Sequence, residues 1–315
     1  MSPLLEVKDL KVSYYRKGDE LPALRGISLK LHKGESLGIS GESGCGKSTL
    51  ASAILGLIPS SEGGVKSGEV LFDKKNLLKL SSKDMRQIRG KKISLIMQDP
   101  YGSFNPVIKL KSQLLETGLV HGMESLEAER KISSLLDAVQ LPQDVREAYP
   151  HQLSGGMLQR VSIVAALINS PEILIADEST SSLDVTIQKK IAQLLLSLKE
   201  RFALSLIFIT HNLNLLSLMA DNIYILYAGE LLEMGPSASL FKNPAHPYTK
   251  GLIDALPDIR SPGSELRPIP GSIPSPDKIP QGCVFRPRCS YVFEKCRLSP
   301  PLKEGVFGHF YRCHL

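Results

Sequence analysis

Apolar positions along this chain change period several times, and each change marks an element. Residues 4–14 (LLEVKDLKVSY) alternate, with Leu10, Val12 and Tyr14 on one face, and residues 24–35 (LRGISLKLHKGE) alternate again. Period-two alternation is the mark of a half-buried strand, so the chain is expected to open with an antiparallel β layer. Short apolar runs follow at 35–40 (ESLGIS), 67–73 (SGEVLFD), 91–99 (KKISLIMQD), 172–178 (EILIADE) and 205–211 (SLIFITH), several of them ending in a polar residue. Such runs suit strands buried on both faces, and the last four are read as parallel. Residues 50–58 (LASAILGLI) continue as an apolar-faced helix, and from about 107 the pattern turns helical, with HGMESLEAERKISSLLDAVQ as its clearest amphipathic stretch. The expected fold is α/β, with a helical subdomain inserted at about 107–160.

Composition narrows the class without naming a chemistry. The chain has 315 residues and 42% hydrophobic content, enough for a buried core. It contains no run of about 18 apolar residues, and its start, MSPLLEVKDL, lacks a basic segment ahead of an apolar one. Neither a membrane span nor a secretory signal is read, and the cytoplasm is the expected compartment. The net charge is +6, and residues 257–315 carry nine Lys/Arg against five Asp/Glu and ten of the 21 prolines. These residues are read as a separate extension, 257–315, after a catalytic domain at 1–256. A basic tail suits anionic surfaces, but without a basic and aromatic array no nucleic-acid partner is expected.

Residues 41–49 (GESGCGKST) bring in the first specific chemistry. Glycines at 41, 44 and 46 let the backbone curl so that N–H groups point inward, and a helix opening at Lys47 places its positive end beside them. Polyphosphate is the fitting ligand. Gly41, Glu42, Ser43, Gly44, Cys45, Gly46, Lys47, Ser48 and Thr49 are therefore the expected ATP-binding set. Lys47 reaches the β- and γ-phosphates and the Ser48 hydroxyl ligates Mg2+.

Further polar residues stand at the ends of apolar runs. EILIADE delivers Asp177, suited to Mg2+, and Glu178, the expected general base, because phosphoryl transfer needs a carboxylate that orients the attacking water. Gln98 ends the IMQ run and is expected to touch both Mg2+ and that water. His211 closes LIFITH and is assigned to the γ-phosphate. At 153–157, LSGGM reads as a helix start with Ser154 as N-cap, a second anion site beyond the phosphate loop. A spare donor set of this kind suits ATP held by another subunit.

These motifs in this order resemble the ATP-binding cassette ATPases: phosphate loop 41–48, Gln98, the signature Leu153, Ser154, Gly155, Gly156 and Met157, the acidic pair 177–178, a D-loop with Ser182, Leu183 and Asp184, and the switch His211. Tyr14 resembles the aromatic residue that stacks on adenine, with Tyr15 disfavoured by strand alternation. NPAHPYTKGL (243–252), IPGSIP (269–274) and GCVFRPRC (282–289) are similar to the dipeptide and oligopeptide importer ATPases. That resemblance implies a heterodimer with a second ATPase, two membrane-spanning permeases, an extracytoplasmic peptide-binding protein, and a peripheral place on the cytoplasmic face of the inner membrane. It also implies that DPYGSFNP, after Gln98, meets a permease. The chain departs from the pattern at Ser179, usually proline, at Asn212, usually Asp, and at Cys45, which raises the question of thiol sensitivity. A nickel or other small-solute importer and a non-transport cassette protein are the alternatives. A GTPase is disfavoured because no Asn-Lys-x-Asp motif occurs.

Four of the five cysteines, Cys283, Cys289, Cys296 and Cys313, crowd the last 33 residues. In a cytosolic enzyme such a cluster favours metal over disulfide, although the Cys-x2-Cys knuckle of structural zinc is missing. A cluster, zinc, or plain structural thiols all remain open on spacing alone. The family resemblance tips the expectation toward a 4Fe-4S cluster that staples a proline-rich tail.

Overall fold

The computed structural model describes residues 2–16, 18–179, 184–256, 268–306 and 308–315. The chain packs as two compact units, one from Met1–His32, Ser36–Leu78 and Ile209–Leu315, the other from Lys33–Glu35 and Lys79–Phe208. The first begins with β1 (Leu5–Arg16), β2 (Asp19–Leu31) and β3 (Ser36–Ser40), followed by α1 (Lys47–Ile54), β4 (Gly63–Phe72) and β5 (Lys75–Asn76). The chain next forms α2 (Ser82–Ile88), β6 (Ile93–Ile96), α3 (Leu110–Leu119), α4 (Ser125–Ala138), α5 (Gly155–Leu167), β7 (Ile173–Asp177), α6 (Val185–Phe202) and β8 (Ser205–Ile209). It then returns to the first unit with α7 (Leu213–Met219), β9 (Asn222–Tyr227), β10 (Glu230–Pro236), α8 (Ser237–Lys242), α9 (Pro247–Asp254), β11 (Lys303–Glu304) and β12 (Phe310–Tyr311).

The antiparallel layer has the order β2-β1-β4-β5. Its inward face in β1 is Leu5 and Val7, then Leu10 and Val12, so the buried parity switches partway along the strand. The switch falls at Asp9 (φ 41°), where the pairing with both neighbouring strands shifts register. Gly68 (φ 103°) lies across this bulge, and a Cβ there would stand 2.6 Å from the carbonyl oxygens of Lys8 and Asp9. Residues 67–73, expected as a parallel strand, belong instead to this layer: β4 runs antiparallel to β1, with Leu5 opposite Phe72 and Val7 opposite Val70. Val70 and Phe72 are buried while Leu71 between them is half-buried, so the run is one-sided. A short apolar run does not reveal its sidedness from sequence.

The first unit's other strands follow the order β11-β12-β10-β9-β3, with β9 parallel to β3 and antiparallel to β10. The hairpin β9–β10 was not expected. It turns through Ala228 (φ 48°) and Gly229 (φ 79°), a left-handed pair matching the twist of the flanking strands. In the second unit β6 and β7 are parallel, Ile93 opposite Ile173 and Ile96 opposite Ala176, and β8 lies next to β7. Every residue of β7 and β8 is buried, which explains their unbroken apolar sequence. The helical stretch is present as α3, α4 and α5, with α4 burying Ala128, Ile132, Leu135 and Leu136 at helical spacing. Among the described residues no helix is long and apolar enough to cross a membrane.

Candidate functional site

The phosphate loop connects the end of β3 to the start of α1. Gly46 (φ 107°) is the N-cap of α1, and a Cβ there would press within 2.8 Å of Leu24 and 2.9 Å of the Ala23 carbonyl. Only glycine makes this turn without strain. The loop is pinned from outside by the β9–β10 turn, since the Gly229 N–H donates to the Cys45 carbonyl (3.0 Å) and the Arg25 N–H to the Gly229 carbonyl (2.8 Å). Ser43, Gly44 and Ser48 face solvent and form the mouth. Lys47 is folded inward, 4% exposed, and its Nζ donates to the carbonyls of Gly41 (2.9 Å) and Glu42 (3.1 Å).

Not every loop group points at the mouth. The Glu42 N–H donates to the Tyr248 hydroxyl (3.0 Å) and the Cys45 N–H to the Glu42 carbonyl (3.3 Å). Cys45 is 0% exposed, and burial pushes its thiol above the ordinary range, partly offset by the Lys47 charge. Tyr14 is half-buried in β1 opposite Leu21 and Gly63. Tyr15 is exposed and engaged with Lys66, whose Nζ donates to its hydroxyl (3.1 Å). His211 is exposed after β8. Asn212 caps α7, its side-chain oxygen accepting from the Leu215 N–H (3.3 Å). Asparagine and aspartate serve equally as N-caps, so this departure from the family pattern leaves the local structure intact.

The second unit gathers the carboxylates. β7 ends at Asp177, 8% exposed, and the chain then bends through Glu178 at φ 42°, a left-handed conformation that costs a non-glycine residue energy. The neighbouring strand β6 brings Gln98 alongside: its Nε2 donates to Glu178 Oε2 at 3.2 Å. Two residues 80 apart in sequence thus share one site because their strands are parallel neighbours. Ser154 caps α5, its hydroxyl accepting from the Met157 N–H (3.3 Å), with Leu153 buried behind it and Gly155 and Gly156 half-buried in the first turn. The Tyr101 hydroxyl donates to the Leu153 carbonyl (3.1 Å), which ties the segment after Gln98 to the signature residues. Asp184 caps α6 through the Ile187 N–H (3.0 Å), while Ser182 and Leu183 lie outside the described residues.

All five cysteines are free. Cys283, Cys296 and Cys313 are buried and Cys289 is half-buried. Burial, reinforced by the other three thiols, pushes Cys283 up to about 11. Among the described residues no group of three or more His, Cys, Asp or Glu side chains is disposed to hold a metal ion. The expectation of a 4Fe-4S cluster gains no support from this geometry.

Two further residues, assigned by no motif in the sequence, serve the phosphate loop. Tyr248 receives the Glu42 N–H, and Arg288 Nη1 donates to Glu42 Oε2 at 2.8 Å. Both sit inside the motifs that marked the peptide-importer branch, yet nothing in those strings says that they face residue 42.

A glycine-capped phosphate loop entering a helix, with a Gln–Glu pair at the ends of adjacent parallel strands, defines a nucleotide-hydrolysing cassette. The chain belongs to the ABC transporter family: the ABC transporter family model matches residues 24–181. A second model, the oligopeptide/dipeptide transporter C-terminal region, matches residues 232–296. The oligopeptide transport ATP-binding protein AppD of Bacillus subtilis is 40% identical, covering 100% of this chain and 97% of its own length. The dipeptide transport ATP-binding protein DppD of the same organism is 44% identical over 100% and 95%. The oligopeptide transport ATP-binding protein OppD of Salmonella typhimurium is 40% identical over 98% and 93%. Among solved structures, the dimeric bacterial ABC transporter cassette MJ0796 superposes with a TM-score of 0.66 at 28% identity, covering 74% of this chain and 98% of its own. The cassette cbiO1 of Clostridium perfringens gives 0.67 at 26% identity, covering 77% and 92%.

Proposed function

We propose that this chain is the ATP-hydrolysing subunit of an ABC importer that takes up di- or oligopeptides through membrane permease partners. The carrying observation is the Gln98–Glu178 contact at 3.2 Å, at the ends of paired parallel strands, in a chain that also bears the phosphate loop and the peptide-transporter C-terminal region. Phosphoryl transfer requires positioned charge, and these residues supply it. The loop N–H groups and the positive end of α1 take the phosphates. Lys47 exchanges its hydrogen bonds to Gly41 and Glu42 for the β- and γ-phosphate oxygens. Glu178, oriented by Gln98, holds the attacking water and accepts its proton as the water oxygen bonds to γ-phosphorus and the bond to the ADP oxygen breaks. His211 faces the γ-phosphate. Mg2+ suits the hard oxygen donors of Ser48, Gln98 and Asp177, and when bound it neutralises phosphate charge. Tyr14 stacks on adenine.

The capped start of α5, residues 153–157, is read as completing the ATP site of a second cassette, and Asp184 as part of the D-loop. A heterodimer with a second ATPase, two permeases and an extracytoplasmic peptide-binding protein is the assembly proposed, at the cytoplasmic face of the inner membrane. Met97, Tyr101, Val107 and Ile108 are exposed around the DPYGSFNP segment, as a permease contact requires. The four C-terminal cysteines are retained as candidate ligands of a 4Fe-4S cluster, on chemistry and resemblance. Iron-free, colourless protein after anaerobic purification rejects that part.

The decisive experiment is Glu178→Gln in the assembled complex. ATP affinity is expected to persist while phosphate release drops by a factor on the order of 100 or more. Undiminished hydrolysis removes Glu178 as base. Uptake of labelled dipeptides, longer peptides and nickel in a deletion strain separates the peptide reading from small-solute import.

A further inference from the structure

We infer that Arg288 is a positioning residue for the ATP site: the C-terminal extension reaches back through it to brace the phosphate loop at Glu42. The two residues are 246 apart in sequence and belong to the same compact unit. Arg288 Nη1 meets Glu42 Oε2 at 2.8 Å, with the arginine side chain 6% exposed and the carboxylate 28%. A charge-assisted hydrogen bond so shielded from water is stronger than a surface ion pair. The guanidinium has no freedom to leave. Its Nε donates to the Pro270 carbonyl (2.8 Å), Nη2 to the Ile269 carbonyl (3.4 Å), and Nη1 also to the Tyr227 hydroxyl (3.4 Å).

The brace engages the loop at two points, both on Glu42, and Glu42 in turn holds Lys47 within the loop. Arg288 holds the Glu42 carboxylate, Tyr248 takes the Glu42 N–H, and the Glu42 carbonyl receives Lys47 Nζ (3.1 Å). One residue thus links the extension to the lysine that meets phosphate. Phe285 packs on both tyrosine rings, with centroids 5.3 Å from Tyr227 and 5.2 Å from Tyr248. Arg288 itself ends the single helical turn Arg286–Arg288, framed by Cys283, whose carbonyl accepts the Arg286 N–H (3.0 Å), and by Cys289. Residues 243–252, 269–274 and 282–289, which look like unrelated strings in the sequence, all contribute an atom to this one bracket. Its function is to fix the loop in the curvature that receives phosphate before ATP arrives, which is preorganisation.

The inference rests on the assignment of residues 41–49 as the nucleotide site, and the test separates the two. Fluorescent-nucleotide binding to the full chain and ATP kinetics of the assembled complex are measured for Arg288→Ala, Arg288→Lys, Glu42→Gln, the double variant Arg288→Ala/Glu42→Gln, and Lys47→Ala. Arg288→Ala is expected to weaken ATP binding by about tenfold and to raise KM for ATP more than it lowers kcat. Arg288→Lys, which keeps the charge but loses the fork, recovers part of the affinity. The double variant is expected to be no weaker than Arg288→Ala, because both changes break one contact. If Arg288→Ala does not fold, Arg288→Lys and Glu42→Gln decide by the same KM-against-kcat split. Loss of binding in Lys47→Ala with affinity within about twofold of the parent in the Arg288 and Glu42 variants overturns the brace alone. Unchanged binding in Lys47→Ala overturns the site assignment beneath it.

Discussion

At the scale of single residues, environment separates side chains that look alike in the sequence. Cys45 stands inside the phosphate loop, where a thiol invites suspicion of redox control, yet it is 0% exposed and burial raises its pKa. A thiol that is neutral and covered is a poor nucleophile. Native protein treated with iodoacetamide near pH 8 is therefore expected to leave Cys45 unlabelled until denaturant is added, as read by peptide mass spectrometry. Labelling of Cys45 in the native chain at the rate of an exposed thiol contradicts this. Tyr14 and Tyr15 divide in the same way: strand alternation already set them on opposite faces, and the structure gives Tyr15 to Lys66.

At the scale of elements, periodicity located β1–β4, β6–β8 and the helices α1, α3, α4 and α5, but not the hairpin β9–β10, the long helix α6 or how the strands pair. The buried strands at 172–178 and 205–211 and the amphipathic helix near 121–140 were legible because their burial is uniform or strictly periodic. The strand at 67–73 was legible as a strand and misassigned in direction, since pairing belongs to two chain segments and not to one. The bulge in the antiparallel layer illustrates the same limit. Gly68 is needed because its φ is 103° and because the Lys8 and Asp9 carbonyls cross it, 2.6 Å from where a Cβ would stand. Gly68→Ala is expected to lower the unfolding free energy by about 2 kcal/mol or more, from left-handed strain plus collision. Denaturant titration checks it, and a loss below about 0.5 kcal/mol contradicts the need for glycine here.

At the scale of the whole molecule, the residues of the C-terminal extension belong to the same compact unit as the phosphate loop. The buried Glu233 of β10 anchors that arrangement, accepting from the N–H groups of Ala245 (2.7 Å) and His246 (2.8 Å) and meeting His309 Nε2 (2.6 Å). His246 lies at the junction, capping α9 through its Nδ1, which accepts from the Tyr248 N–H (3.0 Å), with its ring 5.7 Å from Phe285. Burial drops its pKa from 6.5 to about 3. The folded state keeps it neutral where the unfolded chain would protonate it, so this contribution to stability is complete above pH 6.5 and is lost progressively toward about 3. His246→Asn, which preserves a capping acceptor and does not titrate, is expected to show a shallower fall in melting temperature between pH 6.5 and 4. Equal slopes for parent and variant contradict this account.

What the sequence determined alone was local: the phosphate loop and its helix, the carboxylates at strand ends, Ser154 as a cap, and the cassette family through the order of these motifs. Each depends on a few consecutive residues whose backbone geometry and chemistry are set by neighbours along the chain. The tertiary structure decided everything that joins distant segments. It paired Gln98 with Glu178, turned the 67–73 strand antiparallel, buried Cys283, Cys296 and Cys313, and closed Arg288 onto Glu42. These contacts depend on which surfaces the fold buries against one another, and a linear string of residues carries no distance between positions 42 and 288.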